Sequence, residues 1–166
     1  VKKLVRTSGN WEVSFSNEEK LQADFICVAC GGYPKPSMFE WLMATGHRME
    51  DPVPSLFTFN IPGDPLTELM GISTGARIKI PGTPLLEEGP VLITHWGLSG
   101  PAVLRLSAKG ARILHDLDYR FTVWVNWCSE LNEHTLREKF LDYRLNMPAQ
   151  KVASRNGMGI PQRLWI

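Results

Sequence analysis

Gly89-Pro90-Val91-Leu92-Ile93-Thr94-His95-Trp96-Gly97-Leu98-Ser99-Gly100-Pro101-Ala102-Val103-Leu104 is the stretch that decides the fold. The short apolar run at residues 91–93 predicts a strand that is buried on both faces. Gly97 supplies the backbone freedom that a tight turn needs. Ser99 is predicted to cap a helix, with Pro101 in its first turn, where a missing N–H costs little. The stretch therefore predicts a strand, a turn and a helix in succession.

The turn is also where ligand chemistry is expected. A helix N-terminus presents unpaired N–H groups and the positive end of a dipole, so it can bind an anion. His95 precedes the turn and could donate a hydrogen bond or a proton to a ligand held there. Alternatively, Thr94 and His95 only satisfy backbone groups while the strand packs. The residues alone leave both interpretations open.

Composition bounds the class of protein. With 166 residues and 43% hydrophobic content, the chain is expected to form one domain with its own core. A net charge of +1 gives no reason to expect nucleic acid or an acidic membrane surface as a partner. Three cysteines, an odd number, favour a reducing, cytoplasmic compartment over a disulfide framework. The chain starts without Met, and we expect it to be part of a longer protein.

The first part of the chain predicts three strands. Residues 3–6 and 11–15 flank hairpin turn chemistry, and the second segment alternates apolar with polar residues. Residues 25–28 form a continuous apolar run, which predicts a central strand of a covered sheet. Gly31 and Gly32 follow that run, at a place where backbone can approach a ligand closely.

Further elements follow from periodicity and capping signals. Residues 75–80 alternate as an amphipathic strand, and residues 119–127 are predicted to form a strand covered on both sides. Ser37 can cap a short helix. Asn132 can cap a longer helix that ends near residue 145, and residues 148–154 are predicted to form another helix.

Cys27 and Cys30 form a C-x-x-C motif. A redox or zinc pair needs both sulfurs on an accessible loop or at a helix N-terminus. Residues two positions apart share a face of a strand, so residues three apart point to opposite faces. Cys128 stands alone, without a second metal-ligand pair. The pattern favours buried thiols and no metal site, with a redox or metal role as the alternative.

Three segments resemble a known family. Thr94-His95-Trp96-Gly97-Leu98-Ser99-Gly100-Pro101-Ala102-Val103-Leu104 resembles the signature F-T-H-x-G-L-S-G-P-A-x-L of BaiN/RdsA-type flavoproteins, which are NAD(P)/FAD-dependent oxidoreductases. Ala23-Asp24-Phe25-Ile26-Cys27-Val28-Ala29-Cys30-Gly31-Gly32 is similar to the A-D-x-V-I-x-A-T-G-G of the family's FAD-binding domain, with Cys30 in place of Thr. Gly46-His47-Arg48 and Pro52-Val53-Pro54-Ser55-Leu56 match G-H-x-I-x-x-P-x-P-S-L.

The resemblance implies an organisation for the whole chain. Residues 1–33 would be the tail of the FAD-binding domain. Residues 34–166 would be an inserted α+β domain, a mixed or antiparallel flattened β-barrel with flanking helices, truncated in its C-terminal helical part. The cofactor would be FAD, and His95 would be the catalytic proton-transfer residue. The implied cofactor-binding residues are Ala29, Cys30, Gly31, Gly32, Thr94, Gly97, Ser99 and Gly100.

The implied partners are the remainder of the FAD-binding domain and a small-molecule substrate, without nucleic acid or membrane. The parent protein would be the oxidoreductase, and this chain alone would neither retain FAD nor turn over. The alternative is a non-enzymatic interaction module, whose apolar, Trp-rich face docks on a partner domain.

Overall fold

The computed structural model describes residues 1–154 and 156–165. The chain forms two compact units, Val1–Pro52 and a second unit that begins at Val53. Among the described residues, no helix combines the length and the apolar character that crossing a bilayer requires.

The first unit holds a three-stranded antiparallel sheet of β1 (Lys3–Arg6), β2 (Trp11–Ser14) and β3 (Lys20–Ala23), in that order. Leu4 lies opposite Val13, and both side chains are buried. The predicted hairpin is therefore confirmed. The sequence did not predict β3, a segment of four residues of which three are exposed.

Residues 25–28 do not form the predicted central strand. The Phe25 side chain is 91% exposed, and the segment lies outside the sheet. A strand needs a neighbour to satisfy its backbone groups, and in this unit the sheet ends at β3. The prediction was wrong because apolar composition alone does not supply a pairing partner.

The short helix of the first unit begins as a 3-10 turn at Pro36–Phe39 and continues as α1 (Glu40–Met43). Ser37 lies inside the turn, so its predicted role as the cap is wrong. Lys35 occupies the cap position without a side-chain hydrogen bond.

The second unit is built on a five-stranded sheet. Its strands are β4 (Phe59–Asn60), β5 (Ser73–Lys79), β6 (Leu86–Ile93), β7 (Gly97–Ser99) and β8 (Trp124–Asn126). They lie in the order β4-β7-β6-β5-β8, and every neighbouring pair is antiparallel. The sheet curls into a half-barrel and helices flank it, which confirms the predicted α+β, barrel-like fold class.

One face of the sheet packs on the helices α2 (Pro101–Lys109) and α3 (Ala111–Asp116). The alternation predicted for residues 75–80 is confirmed, since every second side chain enters this core. Burial of these apolar side chains is the main favourable term that holds sheet and helices together. The fully or almost fully buried members are Ala76, Ile78, Ile80, Val91, Ile93, Ala102, Val103, Leu106 and Leu114.

Only the last part of the strand predicted over residues 119–127 forms, as β8. Asp118 and Tyr119 have φ angles of 51° and 56°, so the chain leaves α3 through a left-handed turn and cannot be extended there. Trp124 is 60% exposed, and the prediction that both faces of this strand are covered was therefore wrong.

The C-terminal part contains α4 (Glu133–Asn146) and α5 (Gln162–Trp165). The Asn132 side chain accepts a hydrogen bond from the Thr135 N–H, 2.9 Å away, and the Thr135 hydroxyl oxygen accepts one from the Asn132 N–H at 3.0 Å. The predicted cap and end of this helix are confirmed. Residues 148–154 form only a 3-10 turn at Val152–Ser154, because a short segment without a buried face does not offset the cost of helix nucleation.

Glu87 is the one charged side chain among the described buried residues. Its carboxylate accepts hydrogen bonds from Lys109 and from Arg105 Nε, which lies 3.2 Å away, both on α2. The hydrogen bond from Lys109 is the main reason why the pKa of Glu87 lies below its usual value, with Arg105 adding to the effect. Burial acts in the opposite direction; its influence is smaller than that of the Lys109 hydrogen bond and larger than that of the Arg105 hydrogen bond.

Glu87→Gln should make the free energy of unfolding depend less on pH in the acidic range. Because the folded-state pKa is lowered, the contribution of Glu87 is present above its unfolded pKa and is lost as pH falls through the folded pKa. Both cations are substantially exposed, so we expect a loss of about 1 kcal/mol at neutral pH and a smaller difference in acid. Urea unfolding at neutral and at acidic pH measures the free energy of unfolding of the variant and of the wild type. Glu138→Gln on the exposed face of α4 is the control. If the free energies of unfolding of Glu87→Gln and of the wild type changed in parallel with pH, the lowered pKa of Glu87 would be contradicted.

Candidate functional site

The turn at residues 94–97 joins β6 to β7. Thr94 N donates to Gly97 O at 2.7 Å, and the Thr94 hydroxyl donates to the same oxygen at 3.0 Å. Gly97 N lies 3.1 Å from the Thr94 hydroxyl oxygen, which accepts its hydrogen bond. The polar side chain of Thr94 therefore closes the turn and satisfies backbone groups.

Gly97 and Gly100 are required by packing within the unit. Gly97 has a φ of 153°, and a Cβ there would stand 2.1 Å from the Phe59 carbonyl oxygen of β4. Gly100 has a φ of 95°, and a Cβ there would stand 2.8 Å from the Pro90 carbonyl oxygen. At both positions the protein's own backbone fills the space that a Cβ would take, so packing within the unit already accounts for glycine there.

Ser99 does not cap α2. It is the last residue of β7 and lies opposite Leu92, so its backbone belongs to the sheet. Gly100 occupies the cap position, without a side-chain hydrogen bond, and Pro101 follows in the first turn as predicted. The positive φ of Gly100 makes the abrupt change from strand to helix that a capping serine would otherwise direct.

His95 and Trp96 form the exposed tip of the turn. Their rings meet edge to face, with centroids 4.0 Å apart. The Trp96 carbonyl accepts a hydrogen bond from Ile61 N at 2.9 Å, which ties the tip to the chain after β4. Within the described part of the chain, no residue forms a hydrogen bond with the His95 imidazole. Its ring nitrogens are therefore available to a ligand.

A cleft of about 570 Å³ lies in the second unit, beside the turn. Leu98 of β7 and Ile61 line it, and the hydrogen bond from Ile61 N to the Trp96 carbonyl links its wall to the His95–Trp96 tip, which does not itself line the cleft. Two aromatic pairs form its apolar wall: the ring centroids of Phe57 and Tyr119 are 5.6 Å apart, and those of Phe59 and Phe121 are 5.0 Å apart. The cleft volume falls within the range of small-molecule sites.

The cleft also has a few polar groups, as small-molecule sites do. The polar residues Thr58, Asn60, Asp64 and Thr122 line it together with the aromatic residues. Sequence reasoning missed this site, because it forms between the two edges of the sheet. The available signal was the matching i, i+2 spacing of Phe57 with Phe59 and of Tyr119 with Phe121.

The other predicted cofactor residues, Ala29, Cys30, Gly31 and Gly32, lie in the first unit and are exposed. Gly31 has a φ of 74°, and no atom lies within 4 Å of the place where a Cβ would stand on Gly31 or Gly32. This backbone is open, so its geometry fits the close approach of a cofactor.

The prediction of buried thiols in the C-x-x-C motif is wrong. Cys27 and Cys30 are both exposed. The strand predicted over residues 25–28 does not form, so this segment is not buried in a covered sheet. Cys128 is half-buried. Among the described residues, no group of three or more His, Cys, Asp or Glu side chains is placed to hold a metal ion.

The part of the chain that forms the five-stranded sheet, the turn and the C-terminal helices matches a known domain family. Residues 53–166 match the sequence model of the HI0933-like protein barrel and H2TH domain. The chain belongs to this family. The HI0933-like match begins where the second structural unit begins, and it covers all five strands of the half-barrel. The family comprises flavoprotein-like proteins and is associated with FAD binding. No curated protein sequence gives a significant match to this chain.

Proposed function

We propose that this chain is the barrel-like, substrate-side insert of a cytoplasmic, FAD-dependent oxidoreductase of the BaiN/RdsA type that uses NAD(P)H. The observation that carries the proposal is the HI0933-like match, which contains the turn between β6 and β7. A fold by itself hosts many functions, so the turn and its neighbouring cleft must supply the specific chemistry.

In this proposal the redox chemistry comes from FAD, which the longer protein binds, and the domain supplies position and shape. Gly31 and Gly32 would hold part of the cofactor through their open backbone, with Ala29 and Cys30 beside them. Thr94, Gly97, Ser99 and Gly100 would act indirectly, by fixing the turn that presents His95. The remainder of the FAD-binding domain is then the partner of this chain.

The substrate would occupy the cleft beside the turn. Its aromatic wall suits an apolar or flat group, and the Thr58, Asn60 and Thr122 side chains would orient polar substituents. His95 would transfer a proton to or from that substrate, since imidazole is the side chain suited to proton transfer near neutral pH. No described residue competes for its ring nitrogens, which supports this role.

His95→Ala in the longer, FAD-containing protein should lower NAD(P)H-dependent turnover about 100-fold without lowering the melting temperature. The ring is exposed and holds no part of the fold, so stability is expected to stay unchanged. Steady-state NAD(P)H oxidation and thermal unfolding measure the two quantities. His134→Ala on the exposed surface of α4 is the control. Unchanged turnover in His95→Ala would remove this residue from the mechanism.

A second function, a non-enzymatic interaction module, is favoured by one surface feature. Leu86 and Trp124 flank Lys79 on adjacent strands and are 51% and 60% exposed. Apolar side chains clustered on an exposed sheet face are typical of interaction surfaces. The two functions differ in one measurable respect, because only the oxidoreductase requires the longer protein to hold a flavin.

A further inference from the structure

The two cysteines of the C-x-x-C motif share one surface of the first unit. They lie in the link between β3 and the 3-10 turn that starts at Pro36. Both are exposed, and both line an apolar cleft of about 660 Å³. Leu4, Val13 and Trp41 form part of the opposite wall. The thiols are therefore accessible together, on the same side of the unit.

The backbone around these cysteines is free to change conformation. Residues 25–34, all of them within the described part, form no backbone–backbone hydrogen bond, and no secondary structure includes them. A disulfide needs Cα atoms about 4.4–6.8 Å apart, and a four-residue turn brings its first and last Cα atoms within about 7 Å. No backbone–backbone hydrogen bond has to break for residues 27–30 to close such a turn.

Cys30 already has a polar neighbour at this surface. A hydrogen bond with the Cys30 side chain is the main reason why the pKa of Tyr33 is raised. The Tyr33 ring is held in place by an edge-on contact with Phe39, with centroids 5.1 Å apart. The Cys30 sulfur thus lies beside a positioned hydroxyl group and not against apolar side chains alone.

We infer that Cys27 and Cys30 form a redox-active dithiol, which a low-molecular-weight disulfide such as oxidised glutathione converts to an intramolecular disulfide. One cysteine thiolate attacks the oxidant, forms a mixed disulfide and releases one glutathione thiolate. The second cysteine thiolate then attacks the protein sulfur of that mixed disulfide and releases the second glutathione. The two cysteines lose two protons and two electrons, and the oxidant becomes two thiols.

Cys128 provides an internal comparison. It lies in the second unit, where burial raises the pKa of its thiol and Lys139 lowers that pKa to a smaller extent. A raised thiol pKa reduces the thiolate fraction that reacts. The described part of the chain contains no other cysteine, so Cys128 should remain a free thiol under conditions that oxidise the C-x-x-C pair.

The test is incubation of the full chain with oxidised glutathione, followed by alkylation, intact mass measurement and peptide mapping. The thiol count should fall from three to one, with a mass loss of about 2 Da and a peptide that links Cys27 to Cys30. Cys128→Ser should lose both of its remaining thiols. Cys27→Ser and Cys30→Ser should keep a glutathione adduct on the other cysteine. Circular dichroism verifies that each variant folds like the wild type.

Two results would overturn the inference. The first is a wild-type chain that accumulates glutathione adducts on both Cys27 and Cys30 without the linking peptide. The second is a disulfide that joins two chains or includes Cys128. In either case the two sulfurs would be accessible but not paired. Neither result bears on the proposed oxidoreductase, whose test uses the flavin of the longer protein.

Discussion

Gly97→Ala should destabilise the second unit by about 3 kcal/mol or more. The added Cβ would stand 2.1 Å from the Phe59 carbonyl oxygen and 3.0 Å from Ile61 N. Both are backbone atoms, so no flexible side chain can move aside. The φ of 153° adds strain, because an L residue rarely adopts it. Relief of the clash requires β4 to separate from β7.

Urea unfolding of the wild type and the variant measures this loss. Gly75→Ala is the matched control, since Gly75 also lies in a strand of the same sheet and a Cβ there would meet no atom within 4 Å. We expect that control to stay within about 0.5 kcal/mol of the wild type. Equal stability of the two variants would show that β4 does not pack against the turn as described.

Leu106→Ala should lower the free energy of unfolding by about 2–5 kcal/mol. Leu106 lies on α2 with no exposed surface and belongs to the core that joins this helix to β5 and β6. Truncation removes its apolar contacts and leaves a cavity that close-packed neighbours cannot fill completely.

The matched control is Leu145→Ala near the end of α4, where the side chain is 78% exposed. Its cost should stay within about 0.5 kcal/mol. Denaturant unfolding of both variants measures the difference. A Leu106→Ala variant that is as stable as Leu145→Ala would contradict the placement of α2 against the sheet.

Local patterns predicted the elements whose burial and capping depend on neighbouring residues. The alternation of Ala76, Ile78 and Ile80 identified β5, because every second side chain enters the core. Asn132 identified the start of α4, because its reciprocal hydrogen bonds with Thr135 form within four residues. The strand, the turn and the later helix around Gly97 were also predicted, but the short strand β7 between the turn and α2 was not.

The wrong predictions have a common physical cause. At those positions the structure depends on pairing or packing with another segment of the chain, which a local pattern does not contain. Residues 25–28 are apolar enough for a strand, but their unit supplies no neighbour to pair with. Ser99 has the chemistry of a cap, but its pairing with Leu92 commits it to the sheet. The cleft beside the turn depends on Phe59 meeting Phe121 across 62 positions of sequence, and no local pattern contains that contact.

The family resemblance named more candidate site residues than the residue pattern did, and neither predicted the cleft. The turn residues alone left two interpretations open for Thr94 and His95. In the structure the two side chains differ in their hydrogen bonding. Thr94 is bonded twice to Gly97, whereas no described residue bonds to the His95 ring. The role of His95 in proton transfer stays a prediction, which the turnover of His95→Ala decides.

The most direct test of the account is whether flavin is retained after incubation with FAD and desalting, measured by visible absorbance of this chain and of the longer protein. In the proposed oxidoreductase the HI0933-like domain lies on the substrate side, and the remainder of the FAD-binding domain makes most of the cofactor contacts. We therefore predict that the longer protein stays yellow and that this chain becomes colourless. A longer protein that retains no flavin would contradict the central claim and would favour the interaction module.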